Sequence, residues 1–237
     1  MIVSLQAHHL EKSFQNRPVI RDISFVLHPG EFLVISGGNG AGKTTLLRLL
    51  AKLVKPDAGT ISIDGQDIWE ESDAVRYTLG FLSHQIYLYD DLNAVENLRF
   101  TARLFGMEEY HSRITEVLQQ LHLYHRQYDP VKTYSRGMQQ RLALGRAILH
   151  DPDILILDEP FTGLDEAGVE ILDTLVRDHQ RQNKSAIIVS HNLRAGYDLA
   201  DTLYILGKGT IAFRGEKTQV SFEEYHSAYR GILESET

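Results

Sequence analysis

The stretch Gly37-Gly38-Asn39-Gly40-Ala41-Gly42-Lys43-Thr44-Thr45 decides the fold of this chain. Within it, a glycine, four further residues and a second glycine lead into Lys-Thr, which is the spacing of a loop that binds nucleotide phosphates. A short apolar run at 32–35 precedes the loop and predicts a buried strand. Leucines follow the loop at helical spacing, at Leu46, Leu47, Leu49, Leu50 and Leu53. The order strand, glycine-rich turn, apolar helix therefore predicts a phosphate-binding loop in an α/β fold.

The residue types in this loop suit phosphate chemistry. Glycines let backbone N–H groups approach a phosphate without a clash at Cβ. A helix that begins at about Lys43 adds the positive end of its dipole. Lys43 supplies a charge for the terminal phosphates, and the Thr44 hydroxyl can ligate Mg²⁺. The alternative, a glycine-rich turn that binds nothing, is disfavoured by the flanking strand and helix patterns.

Composition narrows the class of protein. The chain has 237 residues and a formal net charge of −8. No run of Lys or Arg stands out, so nucleic acid is not predicted as a partner. The absence of cysteine excludes disulfides and thiolate metal sites. The first residues do not resemble a signal peptide, and no apolar run approaches the ~20 residues that cross a bilayer. We therefore expect any membrane role to come through a partner.

Strand and helix patterns alternate along the chain. Two aliphatic runs, 154–157 and 186–189, flank a helical pattern at 167–182, so we expect parallel strands buried on both faces. Residues 94–147 are mostly helical in pattern, with an interruption near Asp129-Pro130. The other predicted strands lie within 1–35, at 60–63, at 79–82 and in a hairpin of 203–206 with 210–213. Predicted turns lie at 15–18, 28–30, 56–59 and 64–65.

Polar side chains follow three of the predicted strands at their carboxyl ends. Asp158 and Glu159 follow the first aliphatic run, His191 follows the second, and Gln85 follows 79–82. Open parallel sheets bind ligands beyond these strand ends. Each residue alone has an ordinary structural explanation, such as a helix cap or a satisfied histidine. Together with a phosphate loop, they predict a magnesium ligand, a base for water and a γ-phosphate contact.

A further segment, Tyr134 to Arg141, places a small polar residue and a glycine at the start of an apolar helix. Ser135 and Gly137 could form a second anion site at that helix N-terminus. The alternative is an ordinary serine N-cap.

With these motifs in order, the chain resembles the ATP-binding subunit of ABC transporters over nearly its whole length. Residues 37–45 resemble the Walker A loop and 154–158 the Walker B strand. The remaining matches are Gln85 to the Q-loop, Ser135–Met138 to the signature motif, Glu159 to the catalytic glutamate, Gly163-Leu164-Asp165 to the D-loop and His191 to the switch histidine. Phe14 lies where the family places an aromatic residue on adenine; the alternative for Phe14 is a core aromatic.

The resemblance implies a fold and a division of the chain. The fold would be α/β, with a RecA-like P-loop core, an antiparallel β subdomain and an inserted helical subdomain. Residues 1–237 would form a single ABC ATPase domain. Residues 1–85 and 151–237 would form the core and β subdomain, and about 86–150 the helical subdomain.

The resemblance also implies a mechanism with ATP and Mg²⁺. Two copies would meet head to tail as a homodimer, with Ser135 and Gly137 of one copy closing over the ATP held by Phe14 and residues 37–45 of the other. Thr44, Gln85 and Asp158 would hold Mg²⁺, directly or through water. Glu159 would polarise the attacking water, while His191 and Gln85 sense the γ-phosphate. The dimer would drive an integral membrane subunit, on the inner, cytoplasmic face of the membrane.

Some details depart from the family pattern or narrow it. Arg136 and Met138 replace a Gly and the Gln of the common signature Leu-Ser-Gly-Gly-Gln, and Gly38 stands where many relatives have Pro. The sequence segments 135–141 and 158–165 resemble those of the haem exporter ATPase of cytochrome c maturation. The alternatives are the ATPase of another small export-type transporter, a soluble ABC ATPase of translation or repair, and a nucleotide-binding regulator without hydrolysis. Glu159 and His191 disfavour the last.

Overall fold

Two β-sheets organise the structure, a computed structural model that describes residues 4–70 and 73–236. The strands in this part of the chain are β1 (Leu5–Phe14), β2 (Arg17–Leu27), β3 (Phe32–Gly37), β4 (Ala58–Ile63), β5 (Gln66–Asp67), β6 (Leu79–Leu82), β7 (Ile154–Asp158), β8 (Ser185–Val189), β9 (Thr202–Gly207) and β10 (Thr210–Glu216). The helices are α1 (Lys43–Leu50), α2 (Asp73–Thr78), α3 (Ala94–Leu104), α4 (His111–Gln120), α5 (Arg136–Ile148), α6 (Glu166–Arg181), α7 (Leu193–Leu199) and α8 (Phe222–Glu236).

The larger sheet has the strand order β10-β9-β3-β8-β7-β6. All neighbours are parallel except the hairpin of β9 and β10. Every residue of β3, β7 and β8 is buried, because helices cover both faces of the sheet. This confirms the predicted parallel strands. The carboxyl ends of β3, β6, β7 and β8 therefore meet along one edge, which is where a ligand site is expected.

The smaller sheet is antiparallel, with the order β2-β1-β4-β5. Gln15 and Asn16 join β1 to β2 with φ angles of 48° and 61°. In a two-residue hairpin turn of type I′, both central residues have positive φ. Asn tolerates positive φ better than most residues. The predicted turn is confirmed at these two positions, whereas Arg17 and Pro18 already belong to β2.

A helical segment lies between β6 and β7, as the sequence predicts. It contains α3, α4 and α5, with short 3₁₀ turns on either side of the predicted interruption. Asn93 begins α3 with a reciprocal cap: its side chain accepts from Glu96 N, and Glu96 accepts from Asn93 N, both at 2.9 Å. The subdomain boundaries near residues 85 and 150 remain a prediction.

The leucine pattern after the phosphate loop is partly wrong. Leu46, Leu47, Leu49 and Leu50 are buried in α1. Leu53, however, lies beyond the helix and is 59% exposed. The helix ends at Leu50, and Lys52 then adopts a φ of 57°, which turns the chain away from the helical path.

Among the described residues, no helix combines the length and apolarity that a bilayer crossing requires.

Candidate nucleotide-binding site

The loop of residues 37–45 connects β3 to α1 at the carboxyl edge of the larger sheet. Gly42 has a φ of 102°, and a Cβ there would lie 2.9 Å from both Ile20 Cδ1 and Val19 O. Only glycine fits such a position without displacing its neighbours. Lys43 is buried, and its Nζ donates to the carbonyl oxygens of Gly37 and Gly38, each at 2.8 Å. The Lys43 side chain therefore folds back over the loop and lies against its first two residues.

A cleft of about 440 Å³ opens beside this loop. It brings the loop together with the ends of β7 and β8, as the sequence predicts. The residues that line it are Val19, Asn39, Gly40, Gly42, Lys43, Thr44, Thr45, His84, Asp158, Glu159, Thr162, Val189 and His191. A positive ammonium, two carboxylates, two histidines and several backbone N–H groups thus share one concave surface.

Asp158 ends β7 and is 1% exposed. Its Oδ2 is buried and has no hydrogen-bond partner among the described residues. A buried carboxylate oxygen without a partner is costly, so this atom fits a ligand that the protein itself does not provide. No group of three or more His, Cys, Asp or Glu in the described part of the chain could hold a metal. Mg²⁺ commonly binds through one or two carboxylates with substrate phosphates and water, so Asp158 and Thr44 suit it.

Glu159 occupies the left-handed region of backbone conformation, with a φ of 53°. Its N–H donates to Val189 O at 3.0 Å, and its Oε2 accepts from His191 N at 3.0 Å. Its buried Oε1 lies 3.3 Å from His191 Nε2 but makes no hydrogen bond among the described residues. Strained backbone held by neighbouring strands is typical of functional sites.

The environment of Glu159 shifts its proton affinity. Burial raises the pKa of the Glu159 carboxyl, while the His191 N–H and the His191 ring partly oppose this effect. The nearby Asp158 raises the pKa further, and Lys43 lowers it. A desolvated carboxylate with one oxygen free is a better proton acceptor than an exposed one. The arrangement can therefore direct and deprotonate a water molecule in the cleft.

Several predicted site residues lie outside the lining of this cleft: Gly37, Gly38 and Ala41 of the loop itself, and also Gln85 and Phe14. Gln85 is exposed, and its Oε1 accepts from the Tyr87 hydroxyl at 2.8 Å. Its predicted contact with the γ-phosphate or Mg²⁺ therefore remains a prediction. Phe14 is 46% exposed at the end of β1, with Lys12 Nζ 5.6 Å from its ring centroid. The core-aromatic alternative is wrong for Phe14, and its stacking on adenine remains a prediction.

Ser135 and Gly137 lie at the start of α5, also outside the cleft. Ser135 Oγ accepts from Met138 N at 3.2 Å, so the serine is the N-cap that the alternative predicted. A Cβ on Gly137 would lie 3.3 Å from Gly163 O, which shows how closely this helix start approaches the D-loop segment. The stem of Arg136 covers Gly163, and Met138 packs against the hydrophobic core. The two departures from the common signature thus have packing roles.

His84 and Thr162 line the cleft and were not predicted. The signal for His84 was its position directly after β6, next to Gln85. Thr162 N donates to Glu159 O at 3.1 Å, so its place follows from the tight turn after Glu159 rather than from a motif.

This chain resembles known proteins in sequence. The family model described as ABC transporter matches residues 20–162. The ABC transporter ATP-binding protein NatA of Bacillus subtilis (strain 168) is 35% identical over 83% of this chain and 81% of its own length. The Nod factor export ATP-binding protein I of Burkholderia lata is 33% identical over 88% of this chain and 69% of its own.

Solved structures share the fold. A structure described as the ATP-binding subunit of an ABC transporter is 25% identical, covers 98% of this chain and 100% of its own, and has a TM-score of 0.88. A dimeric ATP-binding cassette in a post-hydrolysis state, bound to ADP and Pi, is 23% identical. The match covers 90% of this chain and 98% of that structure's chain, with a TM-score of 0.80. With a cleft that joins a phosphate loop to Asp158 and Glu159, this chain belongs to the ABC transporter family as one of its ATP-binding ATPase subunits.

Proposed function

We propose that this ATPase powers export through a separate membrane subunit and that its chemistry takes place in the cleft beside residues 37–45. The observation that carries the proposal is the meeting of Lys43, Thr44, Asp158, Glu159 and His191 around one cleft. Those residues supply a cation, a hydroxyl, a magnesium-binding carboxylate, a base and a polar sensor, which are the parts that phosphoryl transfer to water needs.

Each residue has a separate role in the proposed reaction. The loop amides and Lys43 hold the β- and γ-phosphates, with Lys43 exchanging the carbonyls of Gly37 and Gly38 for phosphate oxygens. Asp158 and Thr44 would hold Mg²⁺, which when bound neutralises charge on those phosphates. Glu159 orients water through Oε1, which makes no hydrogen bond among the described residues, and accepts its proton, while Oε2 stays fixed by His191 N.

The signature residues act on a second copy in this proposal. Ser135 and Gly137 lie outside the cleft of their own chain, at the exposed start of α5. A head-to-tail homodimer would place each helix start over the partner's nucleotide, where a helix N-terminus favours phosphate. A structural neighbour is described as a dimer bound to ADP and Pi, which supports the dimer.

The proposed contact with the membrane subunit lies on the segment after Gln85. Tyr87 and Tyr89 are 58% and 52% exposed, whereas Ile86 and Leu88 pack against the core. This alternation confirms that one set of these side chains faces outward. A groove of about 400 Å³ beside them is lined by Tyr87, Leu88, Tyr89, Phe100, Thr101, Leu104, Phe105 and Arg146. Amphipathic aromatics suit a surface that is wet until a partner binds. Attachment there would hold the chain peripherally on the cytoplasmic face.

The proposed cargo, haem for cytochrome c maturation, rests on the sequence words at 135–141 and 158–165. Relatives whose names give a function point to other cargoes, such as Nod factor export and lipopolysaccharide export. The test is to delete the gene for this chain and measure holocytochrome c. A loss of holocytochrome c that the wild-type chain restores, but its Lys43→Ala variant does not, would support haem as the cargo. Normal holocytochrome c in a strain without the chain would exclude it.

One experiment separates transport from the alternative roles. The chain is purified from native membranes under mild detergent, and phosphate release with MgATP is measured on the same sample. We expect an integral membrane protein to co-purify and hydrolysis to depend on Lys43. Co-purification with ribosomes or DNA repair proteins instead would favour a soluble ABC ATPase. Nucleotide binding without phosphate release in the intact complex would favour a regulator.

A further inference from the structure

The C-terminal helix α8 carries a tyrosine that is buried deep behind the phosphate loop. Tyr225 is 0% exposed and is among the largest fully buried side chains of the described residues. Its position is fixed by the start of α8, where Ser221 and Glu224 cap each other: Ser221 N donates to Glu224 Oε2 at 2.8 Å, and Glu224 N to Ser221 Oγ at 3.3 Å. The rings of Tyr197 and Phe213 lie 6.2 and 6.1 Å away.

The hydroxyl of Tyr225 reaches the strand from which the phosphate loop begins. It donates to Ser36 Oγ at 2.8 Å, and both residues are 0% exposed. Ser36 directly precedes Gly37, the final residue of β3, and the Gly37 carbonyl accepts from Lys43 Nζ. Burial raises the pKa of Tyr225 to about 12, so the hydroxyl keeps its proton and remains a donor at any physiological pH.

A second tyrosine of α8 is affected by the charge of the proposed base. Tyr229, one turn after Tyr225, packs against the hydrophobic core. Burial raises the pKa of Tyr229, and the negative charge of Glu159 raises it further. Tyr225 and Tyr229 are four residues apart and therefore lie on the same face of α8.

We propose that Tyr225 is a positioning residue for nucleotide binding: through Ser36 it fixes the end of β3 and thereby the geometry of the phosphate loop. The proposal rests on the loop being the nucleotide site. A hydrogen bond between two fully buried groups holds its partners in one arrangement. When it breaks, no water is present to take the place of the lost partner, so both groups stay unsatisfied. The amides of the loop must converge on one phosphate position, so their anchor contributes to affinity by pre-organisation.

A double-mutant cycle tests this role with two readouts, ATP affinity by calorimetry and thermal unfolding. Tyr225→Phe keeps the ring and Ser36→Ala keeps the backbone, but each leaves one buried hydroxyl unpaired. We expect each single variant to be less stable than wild type and the double variant to recover most of that loss. ATP affinity should fall roughly two- to ten-fold in all three, the ratio that one neutral hydrogen bond usually contributes.

The double variant separates positioning from stability, because its stability returns while its ATP affinity stays low. The matched control is Tyr197→Phe, because the Tyr197 ring lies 6.2 Å from that of Tyr225. The Tyr197 hydroxyl donates to Val220 O at 2.8 Å rather than to the phosphate loop. We expect this control to leave ATP affinity unchanged.

Wild-type ATP affinity in both Tyr225→Phe and the double variant would overturn the positioning role. Equal weakening by the Tyr197 control would also overturn it, because the effect would then not pass through Ser36. Lys43→Ala in the same assay tests the premise that the loop is the nucleotide site. If that variant binds ATP like wild type, the proposed site itself is wrong, whereas lost binding with an unaffected Tyr225→Phe refutes only the positioning role.

Discussion

Replacing Glu159 by glutamine should separate ATP binding from ATP hydrolysis. The amide oxygen of glutamine can still accept from His191 N, which holds the present side chain at 3.0 Å. The second position is now Oε1, which makes no hydrogen bond among the described residues; it would become an NH₂ group that cannot accept a proton from water. The substitution therefore removes one chemical capacity and leaves the shape of the cleft in place.

The size and direction of the effect follow from this geometry. Loss of a positioned general base typically costs ~10²-fold or more in rate, which is about 2.7 kcal/mol of transition-state stabilisation. Stability should not fall. Burial raises the pKa of the Glu159 carboxyl, so the ionised form disfavours the folded state above the ordinary pKa of glutamate. A neutral glutamine removes that penalty, and the variant should be at least as stable as wild type at pH 7.

The assay compares phosphate release with MgATP, ATP binding by calorimetry and thermal unfolding at pH 7. Glu170→Gln is the matched control, because Glu170 is an exposed residue of α6. We expect Glu159→Gln to bind ATP normally, to accumulate an ATP-bound dimer and to lose turnover, while the control resembles wild type. Wild-type turnover should also fall as the pH drops through the raised pKa of Glu159. Near-normal turnover of Glu159→Gln would refute the assignment of the base.

Other substitutions test the remaining parts of the proposed cycle. Lys43→Ala should weaken ATP binding markedly while the fold survives, and unchanged affinity in calorimetry would contradict the site. A mixture of Ser135→Arg and Lys43→Ala chains, each inactive alone, should recover activity, because a mixed dimer contains one intact site; no recovery at any mixing ratio would argue against shared sites. Tyr87→Ala with Tyr89→Ala should keep ATP binding but lose co-purification with the membrane subunit, and wild-type yield would place docking elsewhere. Burial lowers the pKa of His179 from 6.5 to about 4, so the unfolded chain binds this proton more tightly. The free energy of unfolding should therefore fall between about pH 6.5 and 4, less steeply in His179→Phe; equal slopes would contradict this.

The sequence predicts the sheet and the cleft because both depend on local patterns. The aliphatic runs at 154–157 and 186–189 are buried on both faces, and a polar residue after each run necessarily lies at the ligand edge of a parallel sheet. Asp158, Glu159 and His191 therefore could be placed before their contacts were known.

What the sequence did not predict depends on contacts between distant residues. Periodicity extends the leucine pattern to Leu53, but the turn at Lys52 overrides it. The partner of Tyr225 is 189 positions away, and no local pattern links a tyrosine near the C-terminus to Ser36. The side chain of Gln85 depends on its neighbour Tyr87, and a motif match assigns a role without fixing that rotamer.

One short turn connects the two halves of the proposed cycle within each chain. Thr162 N donates to Glu159 O at 3.1 Å, so the residues that follow the proposed base are tied to its backbone. Gly163, the next residue, has a φ of 79° and lies under the stem of Arg136, while its carbonyl lies against Gly137. The residues proposed to close over the partner's ATP thus rest directly on the turn that follows the base of the chain's own site. Because packed neighbours of this kind shift together rather than deform separately, we expect a shift of the turn after Glu159 to move the start of α5 with it.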